Sequence, residues 1–335
     1  MHKLTACLAA VLMCAALLSG CGIAPDAGAA PPGGGQSARA VNSGGLLLGY
    51  SQIGDESGWR TYLSSSIKRA AAEGGVQLIF QDAEEKQENQ FNSIRSFIAY
   101  QTDVIAFSPI VESGWDDVLS EAKQAGIPVI LVDRQIDVKD PSLFSCFIGS
   151  DFENEGKEAA YFLLKKFDCT DRPVDIVELS GTVNSTPAIG RAQGLRDGLK
   201  GHPNFRVVLS ESGDFMRSKG KEVTEEILSS YGRFDVLYSH SDAMTLGALD
   251  AMKELGVVPG KDIVIVTIDG QQACIDALKA GEINCDIECN PNLGQKIVEV
   301  AKRLKAGEAV DRYNYSSETL FTEWDDLDKI EPRGY

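Results

Sequence analysis

Positive charge is in short supply. Against 49 Asp and Glu stand 32 Lys and Arg, a formal net charge of −17 over 335 residues. Such a surface repels phosphate backbones and excludes nucleic acid as a partner of the protein body. Histidine numbers only three, and the cysteines are scattered, so no metal-ligand spacing emerges and neither a metal nor a cofactor is expected. No phosphate loop, nucleophile motif or zinc motif occurs, which leaves catalysis without a sequence signal. After the first twenty residues no apolar run is long enough to cross a bilayer. CxxC pairs are absent. Past residue 21 the cysteines are Cys146, Cys169, Cys274, Cys285 and Cys289, an odd number. Cys285 and Cys289 would lie about 13 Å apart on one strand face, too far to bridge. Buried thiols are expected rather than disulfides.

What is present begins with a leader. Lys3 precedes an apolar run at 4–18, too short for a comfortable span, and Leu18-Ser19-Gly20-Cys21 follows. Small residues before a cysteine mark a secretory cleavage site. The pattern resembles a bacterial lipobox, so residues 1–20 are expected to be a signal peptide and Cys21 the lipid attachment point, anchoring the protein without spanning the membrane. Residues 21–45, with PPGGGQS, read as a flexible tether.

From residue 46 short apolar runs alternate with amphipathic stretches of helical length. LLLGY, VQLIFQD, DVIAFSPI and IPVILVDR are strands separated by helices, the first helix running from about Gly58 to Glu73. The pattern resumes after Ser150 with PVDIVELS, FRVVLSESGD, FDVLYSH, DIVIVTIDG and INCDIEC, and GQKIVEVAKRLKAG reads as a late helix. Parallel strands covered on both faces read this way. The fold class is therefore α/β, with two doubly wound parallel-sheet lobes of similar length.

In such sheets ligands sit beyond the carboxyl ends of the strands. Those ends hold SQIGDESGWR (51–60), Asp133-Arg134, residues 181–185, Asp214-Phe215, residues 240–242 and Asp269. Carboxylates accept from hydroxyls, guanidinium forks donate to ring and hydroxyl oxygens, and a Trp or Phe face lies against sugar C–H groups. On position alone Trp59 is equally a packing residue at a helix start, and Phe215 equally packing beside a cleft. His240 and Trp115 are expected in the core or at the rim.

SQIGDESGWR, VDRQIDVKD, VELSGTVNSTPAIGRAQGL, SGDFMRSKGKEV, SHSDAMTLGAL and TIDG resemble the periplasmic ribose- and galactose-binding family and, within it, the galactofuranose-binding subgroup of ABC sugar importers. The likeness runs from about residue 46 to 335. GDESGWR, DRQIDVKD and GDFMRSKGKEV carry the subgroup; VDR or IDG alone would mark only the type I fold. The resemblance implies two lobes joined by a hinge, expected at 46–150 with 290–315 and at 151–289 with 316–335. It places Glu56, Ser57, Gly58, Trp59 and Arg60 in the first sugar-contacting loop, with Asp133 and Arg134 as a polar pair. It also implies Arg191 as the arginine of the second lobe, Phe215 as an aromatic closing over the ring, and Asp269 as a carboxylate at the inter-lobe crossover. Ser241 stands where the family usually has Asn, and Cys289 where ribose binders have Gln.

The expected function is a monomeric, lipid-anchored, extracytoplasmic receptor that captures a galactofuranose-like or related pentose or hexose and delivers it to ABC permease subunits. A sugar sensor feeding a chemoreceptor or histidine kinase would look the same in sequence. A repressor would need a helix-turn-helix where the leader and tether stand. A glycosidase would need two carboxyl groups at a spacing that sequence does not reveal.

Overall fold

Val104–Phe107 and Val129–Val132 are apolar and buried at every position, the condition of a parallel strand covered on both faces. In the computed structural model, which describes residues 45–335, such strands form two helix-flanked sheets. The leader at 1–20, the Cys21 lipid site and the tether up to residue 44 lie outside the described residues.

The first half runs β1 (Leu47–Gln52), α1 (Gly58–Glu73), β2 (Gln77–Asp82), α2 (Gln87–Ala99), β3 (Val104–Phe107), α3 (Asp116–Gln124), β4 (Val129–Val132) and β5 (Cys146–Gly149). The second runs α4 (Phe152–Lys166), β6 (Val174–Ser180), α5 (Thr186–Gly198), β7 (Phe205–Ser212), α6 (Arg217–Ser230), β8 (Val236–Ser239), α7 (Asp242–Glu254), β9 (Val264–Asp269), α8 (Gln272–Lys279) and β10 (Cys285–Glu288). The chain returns through α9 (Gly294–Lys305) to β11 (Tyr313–Tyr315), then crosses to β12 (Leu320–Thr322).

One sheet has the order β11-β5-β4-β3-β1-β2 and is parallel throughout. The other, β12-β10-β9-β8-β6-β7, repeats that order and is parallel except where β12 runs against β10. The α/β class with two doubly wound lobes is thus the observed one. The chain passes between sheets at 150–151, 289–293 and 316–319. All three passages leave from the β5/β11 and β10/β12 side. The β2 and β7 edges lie at the opposite side of each sheet.

Helix α9 is tied back to the first lobe by close approach. The Gly294 amide donates to Ser66 Oγ (3.0 Å), and a Cβ on Gly294 would collide with the Ser66 carbonyl. Strands β11 and β12 are not legible in the sequence, because three residues carry too little periodicity, and the buried run of β5 (CFIG) is missing from the expected strands. The expected INCDIEC strand shortens to Cys285–Glu288; just before it the Asn284 side chain adds bonds to the Ile265 amide (2.8 Å) and the Gly260 carbonyl (3.1 Å). Trp115 belongs to the core, 4.8 Å from the Phe107 ring, with its indole N–H donating to the Val111 carbonyl (2.8 Å). The five cysteines are free thiols, all buried except Cys169.

Candidate functional site

Helix α1 starts where the chain leaves β1. Ser57 is its N-cap, Oγ accepting from the Arg60 amide (3.3 Å). This cap sets the first turn so that Trp59 and Arg60 point inward, 5% and 2% exposed. Trp59 Nε1 donates to the Cys289 carbonyl (2.6 Å), pinning the indole to a hinge passage, and the Arg60 guanidinium lies 4.9 Å from its ring centroid.

Arg60 and Arg134 share two carboxylates. Glu56 Oε1 accepts from Arg60 Nε (3.2 Å) and Nη2 (3.0 Å) and from Arg134 Nη2 (2.8 Å). Asp133 Oδ2 lies 2.7 Å from Arg60 Nη2. Burial pushes the Glu56 carboxyl up, but the two guanidiniums outweigh it and hold the group below the usual carboxylate range. Burial likewise opposes the charge on Arg60, and Asp133 and Glu56 reverse the effect, whereas Arg134 ends below its ordinary value because burial wins. The cluster is not saturated: Arg60 Nη1 and Arg134 Nε are buried donors without a partner among the described residues. Such donors are costly unless something accepts from them.

Arg191 comes from α5 of the second lobe. Its Nε donates to Glu155 Oε2 (2.6 Å) and its Nη1 to the His240 carbonyl (2.5 Å). Glu155 reaches it because α4 and α5 touch through glycine: a Cβ on Gly156 would collide with the Arg191 carbonyl, and one on Gly194 with the Glu153 carbonyl. Burial lowers Arg191, but Glu155, Cys289 and Asp269 together raise it well above the ordinary arginine value. His240 is wholly buried against Glu178 (3.3 Å), with burial lowering its pKa; it serves the site through its carbonyl.

The ring of Phe215 lies 5.3 Å from the Arg134 guanidinium carbon of the first lobe and 5.9 Å from that of Arg191 in the second. Gly181 leaves room for it, since any Cβ there would overlap the ring. Non-glycine residues with positive φ gather at these strand ends: Asp133 (65°), Asp214 (52°), Phe215 (60°) and Asp269 (141°). Left-handed backbone at such positions costs about 1–3 kcal/mol each and concentrates at functional sites. At Asp133 the Arg134 amide closes back on the Val132 carbonyl (2.7 Å), turning both side chains into the cleft.

Asp269 ends β9 and is not itself on a passage between lobes, as the resemblance implied. It neighbours one, because its carbonyl accepts from the Cys289 amide (3.1 Å). Its Oδ2 accepts from Gln271 Nε2 (3.1 Å) and the Asp242 amide (3.3 Å). Burial, then the nearby Asp242, raise its pKa well above the carboxylate range, and burial pushes Asp242 up to about 7. Ser241 caps α7, its Oγ accepting from the Met244 amide (3.4 Å) and keeping its O–H to donate.

Glu56, Ser57, Trp59, Arg60, Asp133, Arg134, Arg191, Phe215, Ser241 and Asp269 line one cavity, with Pro187 and Cys289; its volume is about 310 Å³ including the open mouth. Gly58, exposed at the first position of α1, stands outside the lining. Pro187 and the Arg191 partner Glu155 escaped the sequence reading. The spacing of Gly190 and Gly194, one helical turn apart on α5, was the available signal for Glu155. The lobes meet around the cavity: the Glu112 amide donates to the Asn184 carbonyl (3.2 Å) and the Gln135 amide to Thr186 Oγ1 (3.0 Å).

Glu155, Cys289 and Glu318 bring ligand-type atoms within 4.8 Å of one another. Glu155 is already bound by Arg191, and Ser150 Oγ bonds both Glu318 and the Cys289 sulfur. Burial raises Glu155, and pushes Glu318 up to about 8. A carboxylate already paired with a guanidinium, and a second one bonded by Ser150, suit a hydrogen-bonded hinge knot better than a cation site.

Two α/β lobes joined by three passages, closing on a cavity rich in guanidinium, carboxylate and aromatic groups, define a solute-binding protein of the type I fold. The chain belongs to the periplasmic binding protein family: the model of the periplasmic binding protein domain matches residues 48–309. It is 40% identical over 297 residues to the galactofuranose-binding protein YtfQ of Escherichia coli, covering 87% of this chain and 93% of the relative. A Mycobacterium smegmatis structure in complex with β-D-fucofuranose is 45% identical, with a TM-score of 0.81 over 83% of this chain and 91% of that one. The arabinose-transporter component of Shewanella sp. ANA-3, bound to α- and β-L-arabinofuranose, is 42% identical, with a TM-score of 0.79 over 83% and 92%. These relatives are binding proteins rather than enzymes, and this one is a sugar-binding periplasmic protein by the same kinship.

Proposed function

We propose that this chain is an extracytoplasmic receptor, held at the membrane by a lipid on Cys21 after removal of residues 1–20, that captures one monosaccharide in five-membered-ring form and delivers it to an ABC permease as a monomer. The observation that carries the reading is that Arg60 and Arg134 from one lobe, and Arg191 and Phe215 from the other, line a single cavity. Ring and hydroxyl oxygens accept from the unpartnered donors of Arg60 and Arg134. Phe215 and Trp59 cover the C–H faces and keep water out. A ligand held by both lobes stabilises the closed form by its differential contacts, and the closed form is what the permease engages. The furanose preference is supported by the galactofuranose, fucofuranose and arabinofuranose named for relatives at 40–45% identity.

Isothermal titration of the purified protein against galactofuranose, arabinofuranose, fucofuranose and ribose tests it. One-to-one binding of a furanose is expected, and absence of heat with every sugar would refute it. Mass spectrometry of the membrane-extracted protein should find a diacylglycerol adduct on Cys21 that Cys21→Ser lacks. Vesicles carrying the permease should take up the sugar only when the receptor is added.

A further inference from the structure

A second cavity, lined by residues that follow β1, β2 and β7, adjoins the first. Its volume is about 850 Å³ with its mouth included, and Glu56 belongs to both linings. Consecutive residues are divided between the two linings. Glu56 lines the inner cavity and Asp55 the outer one; Phe215 lines the inner and Met216 the outer. Carboxylates of Asp55 and Glu85 come from the first lobe, and Arg217, Ser218 and Lys221 of α6 from the second. Arg217 and Lys221 are held in place by Asp250 (2.8 Å) and Glu254 (2.6 Å) on α7, so they do not collapse across the groove onto the opposite lip. Glu85 makes no side-chain hydrogen bond or ion pair among the described residues. The first-lobe lip therefore offers acceptors, and the second offers the donors of Arg217 and Lys221 together with the Asp250 carboxylate paired to Arg217, with Met216 as an apolar residue in the lining.

We propose that the protein takes a short oligosaccharide by its terminal furanose ring, the second sugar ring lying in this outer groove. The inference rests on the sugar-binding reading of the inner cavity and extends it to the substrate class. Hydroxyls of the second ring donate to Asp55 and Glu85 and accept from Arg217 and Lys221, while its C–H face lies on Met216. The glycosidic link passes beside Glu56, the residue common to both linings. The groove belongs to both lobes, so a second ring there adds contacts that exist only in the closed form.

The test is calorimetry with galactofuranose and with a galactofuranosyl-galactofuranose disaccharide, on the parent protein and on Asp55→Ala and Ser218→Trp, which alter the outer groove alone. The disaccharide is expected to bind the parent roughly tenfold more tightly than the monosaccharide, about the gain of one or two half-exposed charged hydrogen bonds. Both variants should erase that gain and leave the monosaccharide within about twofold of the parent. Equal or weaker binding of the disaccharide, or a gain that survives both variants, overturns the inference while leaving the monosaccharide reading intact. If neither sugar binds the parent, the reading of the inner cavity falls and this inference falls with it.

Discussion

Arg134→Ala is the sharpest single perturbation of the site. Arg134 is 1% exposed, donates to Glu56 Oε1 (2.8 Å) and to the Ile110 carbonyl (3.1 Å), and faces Phe215 of the opposite lobe at 5.3 Å. Its Nε has no hydrogen-bond partner among the described residues, with Asp133 Oδ2 3.9 Å away. Truncation removes one charge-assisted hydrogen bond to the sugar, worth about 1.5–3 kcal/mol, and a cation–π contact across the cleft worth about 0.5–2 kcal/mol. The carboxylate Glu56 also loses one of its two guanidiniums, so burial pushes its pKa upward and adds to the cost. A loss of about 2–4 kcal/mol in binding follows, equivalent to a Kd roughly 30- to 1,000-fold higher. Calorimetry on the variant, with circular dichroism to confirm folding, measures it. An unchanged Kd in a folded variant would place the ligand elsewhere and refute the reasoning. Arg134→Lys should recover only part of the loss, since an ammonium does not reproduce the guanidinium fork.

Other outcomes follow from the same geometry. Trp59→Phe strips the indole N–H from the Cys289 carbonyl (2.6 Å) and should lower unfolding stability by about 1–3 kcal/mol in urea titrations, with weaker sugar binding. Gly194→Leu forces α5 away from the Glu153 carbonyl; thermal unfolding should register a loss of about 1–3 kcal/mol or more, and affinity should fall as Arg191 shifts. Asp242 has its folded pKa raised to about 7 by burial, so the folded state holds more protons than the unfolded one between about pH 4 and 7. Stability should therefore decline as pH rises through that window, and Asp242→Asn should flatten the decline in denaturation curves taken from pH 4 to 8.

Much of this was legible without coordinates. Runs such as VIAF and VILV, with no polar position, announce strands buried on both faces, and the helical stretches between them announce parallel connections. Strand ends rich in Trp, Arg and Asp mark the ligand side, because in such sheets carboxyl ends are where side chains are free of the ladder. Strand β5 (CFIG) is as buried as VIAF and VILV and could have been read the same way; the three-residue strands β11 and β12 gave no comparable signal, because pairing partners, not periodicity, made them strands. Gly58 illustrates the opposite error. Membership in a contact motif says nothing about which way the first residue of α1 faces, and the N-cap geometry of Ser57 turned it outward.

The sequence by itself determined the α/β class, the two wound halves, and the inventory of side chains at the strand ends, since all three follow from local pattern and from the direction of the chain. Only the tertiary structure decided that Glu155 holds Arg191, that Ser241 caps a helix while lining the cavity, and that Asp55 and Met216 turn into a second groove. Those outcomes depend on how closely α4 and α5 approach through Gly156 and Gly194, and on positive-φ turns at Asp133, Phe215 and Asp269. Contacts between segments 36 to 230 residues apart are set by packing and charge in three dimensions, which no local window of sequence contains.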